Sequence, residues 1–289
     1  MSGKSRFAIA ENSIRSFFNQ GTRKVFTKEQ LAGILEERRV GWRLPLSTYT
    51  DRFIDQLVKK GILKKIEISF DGYVSDKERF MVEDASISQI AASLVSKSYL
   101  SHYSAVWVNG LTTQVPKTIY ITFEQAPKAS VDRTLTQEGI DAAFSKPQRK
   151  ASSRAIYGDY TFVILNGMFT NRLGVYSADH VPVTNIERTL IDITVRPSYA
   201  GGVFSVLEAY KSALEQGVSI NKLVATLDKM KFIYPYHQSV GFYLERAGYK
   251  GKKLEELRSR SKEFNFYLTY EIAEKEYSEN WRLYYPKGM

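Results

Sequence analysis

Residues 44–68, "LPLSTYTDRFIDQLVKKGILKKIEI", open with helical spacing, close with strand alternation and carry lysines at 59, 60, 64 and 65. Phe53, Ile54, Leu57 and Val58 recur at i, i+1, i+4 and i+5, which predicts a helix with one buried face. Ser47 or Thr48 is the expected cap, and Gly61 is placed to stop the helix. Beyond it, Leu63, Ile66, Ile68 and Phe70 give a strand its buried face. "DGYVSDK" then supplies a turn and "RFMVED" a returning strand.

Upstream, Ile9, Ile14, Phe17 and Phe18 mark one side of a first helix that Gly21 ends. "TKEQ" at 27–30 reads as a capping box, with Thr27 as N-cap and Gln30 returning the bond, ahead of a buried stripe of Leu31, Ile34 and Leu35. Three short helices followed by a hairpin form the layout of a winged helix-turn-helix, in which the third helix enters the major groove and the hairpin lies along the backbone.

Removing the inward residues leaves Ser47, Thr48, Tyr49, Arg52 and Gln56 as candidates to read base edges. Arg43, Lys59, Lys60, Lys64 and Lys65 are the candidates to hold phosphate. Attraction to the helix dipole would account for Lys59 and Lys60, but not for Lys64 and Lys65 on the following strand. With roughly five phosphate contacts, log affinity should fall against log salt at a slope of about −4 to −5. Asp71 and Asp76, set among Lys77 and Arg79, suit phosphate poorly, so the wing tip is expected to contribute less than usual.

Composition points the same way. The 289-residue chain has 43% hydrophobic and 13% aromatic residues, enough to bury real cores, and a net charge of +10 that favours a polyanionic partner. Residues 1–66 hold 14 Lys/Arg against 6 Asp/Glu, so most of the excess sits in the first quarter. The absence of cysteine removes disulfides, thiolate nucleophiles and Cys-based zinc sites, and fits a reducing compartment. No apolar h-region follows the start and nothing approaches eighteen consecutive apolar residues, so neither a secretory signal nor a membrane span is expected. The expected localisation is cytoplasmic.

The texture changes after Asp84. "SISQIAASLV" and "YLSHYSAVWVNGL" read as helices; "KTIYITFE", "RAIYGDYTFVILNG" and "LGVYSADHVPVT" read as strands. A mostly helical tail runs from "NIERTLIDITV" to "KLEELRSRSKEF", and "NFYLTYEI" reads as a last strand. The expected class is α+β, with a winged helix-turn-helix at 1–83 and a larger mixed domain at 84–289.

Two segments carry a family resemblance: "YLSHYSAVWVNGLTTQVPKTIYIT" (99–122) and "VTNIERTLIDITVRPSYAGGVFSVLEAY" (183–210). They resemble the central segments of AbiEi-type antitoxins, the regulatory halves of bacterial type IV toxin–antitoxin, abortive-infection loci. The resemblance implies a repressor that binds inverted repeats before its own operon, as a monomer or a DNA-induced dimer. It also implies antagonism of a nucleotidyltransferase-type toxin without need of a stable complex.

Read directly, Glu187, Arg188, Asp192 and Arg196 suit a structural charge network, with Arg188 and Asp192 spaced to pair along one side of a helix. Gly201 and Gly202 suit close packing or a tight helix start. His102 lies between Ser101 and Ser104 with no acid placed to orient it, and reads as a hydrogen-bonded histidine at a capped helix. A second basic patch, Lys146, Arg149, Lys150 and Arg154, runs without an acid between Asp141 and Asp159 and reads as a loop or strand edge. It is a solvated loop or a surface for RNA, DNA or a toxin. No carboxylate cluster or histidine motif announces catalysis, and Glu124 in "TFEQAPK" lacks the partner aspartate of a nuclease site. Cofactor and metal are therefore not expected. The competing reading is a protein-interaction adaptor that sequesters a toxin or another partner and binds no operator.

Overall fold

The computed structural model describes residues 5–72, 74–127, 134–260 and 262–289, and the fold is α+β. The head runs α1 (Arg6–Gln20), β1 (Val25–Phe26), α2 (Lys28–Arg38), α3 (Thr50–Lys59), β2 (Lys64–Ile68) and β3 (Lys77–Met81). Ser5 caps α1 by accepting from the Ala8 amide. Phe7, Ala10, Ile14 and Phe18 form its buried stripe; Ile9, expected inside, falls off that spacing and is exposed. The Thr27–Gln30 capping box is present at the start of α2.

The three strands form one sheet in the order β1-β3-β2, and its two faces serve different cores. Lys65 pairs with Phe80 in the ladder, and Phe80 joins Phe18, Leu31, Leu35, Phe53 and Leu57 in the head core. On the opposite face, Val25, Ile66, Ile68 and Met81 pack into a core shared with the second unit. The head therefore sits on the rest of the chain through an apolar seam.

The second unit contains α4 (Ile87–Ser93), β4 (Tyr99–Leu100), α5 (His102–Val108), β5 (Thr118–Glu124), α6 (Gln137–Phe144), β6 (Arg154–Tyr157), β7 (Tyr160–Gly167), β8 (Val175–Ala178) and β9 (Val181–Thr184). Its six strands lie in the order β6-β7-β5-β4-β9-β8, with β5 and β7 parallel. Next come α7 (Ile186–Val195), a 3-10 turn, α8 (Val203–Glu215), α9 (Ile220–Met230), α10 (Tyr236–Arg246) and α11 (Lys252–Ser259). A closing sheet of β10 (Phe266–Tyr267), β11 (Lys275–Ser278) and β12 (Leu283–Pro286) packs on α10. There the Trp281 ring lies over Gly241 so closely that a Cβ on that glycine would fall 2.0 Å from it. Only hydrogen fits, and Glu245 accepts the indole N–H at 2.5 Å.

Gly202 caps α8 at φ 98, the tight helix start that the Gly pair suggested. Two details depart from the sequence reading. The segment 99–111 is a short strand before a helix rather than one helix, because Tyr99 and Leu100 pair with β5 and β9. The last strand expected within 265–272 is present as β10, and the closing sheet adds a hairpin, β11–β12, that the sequence reading left out.

Candidate nucleic-acid interface

The turn before α3 is organised by Arg39, whose guanidinium donates to the carbonyls of Pro45 at 2.8 Å and Thr48 at 3.0 Å and pairs with Glu36. Trp42 stacks on Phe53 beneath it, with centroids 5.9 Å apart. Tyr49, not Ser47 or Thr48, occupies the N-cap of α3, and no side chain bonds there. Thr48 is 8% exposed and folded into the turn, which removes it from the surface that could read bases. Ser47, Tyr49 and Arg52 are exposed and Gln56 is half-buried, as an outer face requires. Asp55, which the sequence reading passed over, shares that face; an aspartate there can accept from a cytosine amine.

The cations divide sharply. Lys60 pairs with Glu11 at 2.9 Å, and Glu11 also takes Arg15, whose guanidinium donates to the Lys60 and Gly61 carbonyls closing α3. Lys65 lies between Glu78 at 2.5 Å and Glu67 at 3.1 Å. Pairs this exposed add little stability, but they cancel the local charge, so Lys60 and Lys65 leave the phosphate-holding set. Lys64 and Lys65 also point to opposite faces of β2, since Lys64 pairs with Met81 and Lys65 with Phe80. The expectation that both touch one DNA backbone therefore fails.

Arg43, Lys59 and Lys64 are exposed and have no carboxylate partner among the described residues, as is true of Arg52. Arg43 sits in the left-handed region at φ 51, a conformation costly for a side-chain-bearing residue. The outward set thus comprises Arg43, Ser47, Tyr49, Arg52, Asp55, Gln56, Lys59 and Lys64.

The hairpin tip is docked on the second unit. The Asp71 amide donates to the Arg154 carbonyl at 2.7 Å, and Gly72 packs on the Ser152 backbone. Asp76 shapes the tip by accepting from Ser69 and the Phe70 amide. Arg79, expected among the tip charges, is buried and donates to the Ser93 and Leu94 carbonyls. The second basic patch runs beside this junction. Lys146, Arg149, Lys150 and Arg154 are all exposed and without carboxylate partners among the described residues; Arg154 opens edge strand β6.

Of the four residues read as a charge network, only Arg188 and Asp192 pair, at 2.8 Å and almost fully buried. Arg188 also donates to Thr170 Oγ1 and the Leu173 carbonyl. Glu124 completes the cluster, accepting from Tyr99 Oη, the Thr170 hydroxyl and amide, and the Arg172 amide. Burial opposes its ionisation, but those donors, Thr170 foremost, hold its carboxyl below the usual range. Glu187 and Arg196 form no ion pair among the described residues.

His102 is buried at φ 50, with Nδ1 2.8 Å from Ser101 Oγ. Burial pushes its pKa down to about 4, against the opposing pull of Asp192. An unfolded histidine titrates near 6.5, so between about pH 6.5 and 4 the unfolded chain takes up a proton that the folded chain refuses. Stability should therefore fall with pH across that window, by up to about 3 kcal/mol from this residue. His102→Asn, which tolerates the left-handed backbone, should flatten urea midpoints between pH 7 and 4.5. An unchanged pH slope would contradict the assignment.

No family model matches the chain, and no curated protein matches it. The crystal structure of the RV2827C protein from Mycobacterium tuberculosis is similar, with a TM-score of 0.56 and 16% identity over 98% of this chain and 93% of that one. At that identity the likeness concerns the fold alone.

Proposed function

We propose that this chain is a DNA-binding transcriptional repressor and antitoxin of a type IV toxin–antitoxin system, with a winged helix-turn-helix head. In that reading it represses its own operon from inverted repeats and antagonises a nucleotidyltransferase-type toxin. The carrying observation is that Arg43, Arg52 and Lys59, on α3 and the turn before it, are exposed and without carboxylate partners among the described residues, with Lys64 on the strand that follows, while seven of the head's other cations are paired with carboxylates. Further support comes from the order of three helices and a hairpin. The segments 99–122 and 183–210, which resemble AbiEi-type antitoxins, supply the antitoxin part. Among the described residues no helix is long and apolar enough to cross a membrane.

Fluorescence anisotropy with the upstream DNA tests this reading. Arg52→Ala should lose about 1–3 kcal/mol of discrimination between operator and random duplex, while leaving the melting temperature nearly unchanged because Arg52 is exposed. Equal discrimination by the wild type and the variant would count against α3 as the reading element.

One observation favours the adaptor reading instead. Val40, Leu46 and Tyr49 are 85%, 84% and 74% exposed and cluster where the α2–α3 turn meets α3. Apolar surface of that kind suits a protein partner. Co-purification of a stoichiometric partner, with no salt-sensitive DNA binding, would select that alternative.

A further inference from the structure

Between the head and the second unit lies a cleft of about 1350 Å³ that DNA recognition by α3 does not use. The head contributes Arg23, Lys24 and Arg79 to its walls, and the second unit contributes Lys97 and Arg172. Two carboxylates, Glu29 and Glu124, stand against these five cations. Glu124 is saturated by the donors already described, so it repels an incoming anion less than a free carboxylate would. Lys24 is paired with Asp84, whereas Arg23 and Lys97 have no carboxylate partner among the described residues.

Arg79 is the most telling member. It is 8% exposed, and its guanidinium donates to carbonyls at the end of α4 and to the Glu78 carbonyl, with no carboxylate in contact among the described residues. Burying this cation is costly, Glu29 across the cleft offsets it only through space, and an anion in the adjoining cleft would relieve it further. Backbone strain is concentrated on the same rim: Lys97, Asn171, Arg172 and His180 hold φ of 58, 52, 56 and 64. Such conformations are costly for residues with side chains and persist where surrounding structure fixes them. The bonds from Thr170 and Arg172 to Glu124 do so for the 170–172 loop, and the Arg172 guanidinium donates to the Lys97 carbonyl. The loop held in this way presents Phe169, 48% exposed, at the cleft, where Phe123 and Pro182 also line the wall.

We infer that the cleft binds a nucleotide, with its phosphates on Arg23 and Lys97 in front of Arg79 and its base against Phe169. The cations on both walls supply the anion site, and the exposed ring supplies a platform for a flat heterocycle. The volume exceeds what one small ligand needs, since ligand pockets are typically about 300–1,000 Å³. The inference does not depend on the DNA reading, and its test contains no DNA.

Isothermal titration of the full chain with ATP, and separately with inorganic tripolyphosphate, provides that test. ATP should bind saturably at one site. Arg23→Gln with Lys97→Gln should weaken it at least tenfold, with the thermal melt of the variant unchanged. Phe169→Ala should weaken ATP several-fold and leave tripolyphosphate where it was, a difference that misfolding would not produce. Absence of saturable ATP binding into the millimolar range, or binding unmoved by the paired Gln substitutions, would overturn the inference. Tripolyphosphate binding as tightly as ATP would overturn the nucleotide assignment.

Discussion

Arg188→Ala is expected to lower the folding free energy by about 3–5 kcal/mol, because it removes one partner of a buried ion pair. Arg188 is 3% exposed and holds Asp192, Thr170 and the Leu173 carbonyl together. Its loss leaves the Asp192 carboxylate, 8% exposed, without a counter-charge, and two acceptors without their donor. Natural domains carry only about 5–15 kcal/mol in total, so the variant should sit near the edge of folding. The urea midpoint should drop with an unchanged denaturant slope. Adding Asp192→Ala should recover part of the loss, since no charge is then stranded. A midpoint shift worth under about 1 kcal/mol would show that the cluster does not fix α7 on the sheet.

The second large effect belongs to the cations around α3. Arg43, Lys59 and Lys64 are exposed and unpaired among the described residues, so replacing all three by glutamine should disturb the fold little. On DNA the effect is electrostatic. Two or three phosphate contacts give a salt slope of about −2 to −3, shallower than the −4 to −5 that the sequence suggested, because Lys60 and Lys65 are neutralised within the fold. Extrapolated to high salt, where the term vanishes, three contacts are worth on the order of 10³-fold in affinity at 50 mM salt. The triple variant should lose that factor. Lys65→Gln, by contrast, should change binding little, since Lys65 already lies between two glutamates.

Much of this was legible in the sequence where one residue type has one local use. Thr27 and Gln30 form their capping box, Gly61 adopts φ 60 at the end of α3, and the isoleucines of β5 are buried in a sheet. What escaped was non-local. Nothing near Lys60 in the chain announces Glu11, and nothing near Lys65 announces Glu78, because those partners arrive only when α1 and β3 fold against them. Arg79 looked like a tip charge because strand alternation fixes which residues share a face, not what each face meets. Its face meets the end of α4. Glu187, Arg188, Asp192 and Arg196 read as one network by helical spacing, and Arg188 does pair with Asp192, yet its other partners, Thr170 and Leu173, are supplied by another segment, while Glu187 and Arg196 form no ion pair among the described residues. Thr48 was misplaced because a cap residue and a turn residue look alike until the turn closes around Arg39.

In the proposed function α3 and the unpaired cations beside it meet duplex DNA. A salt titration of operator binding, run on the wild type and on the Arg43→Gln, Lys59→Gln, Lys64→Gln variant, tests it most directly. The wild-type slope should be about −2 to −3 in log affinity against log salt, collapsing toward zero in the variant. A wild-type slope near zero, or one that the three substitutions leave intact, would contradict it.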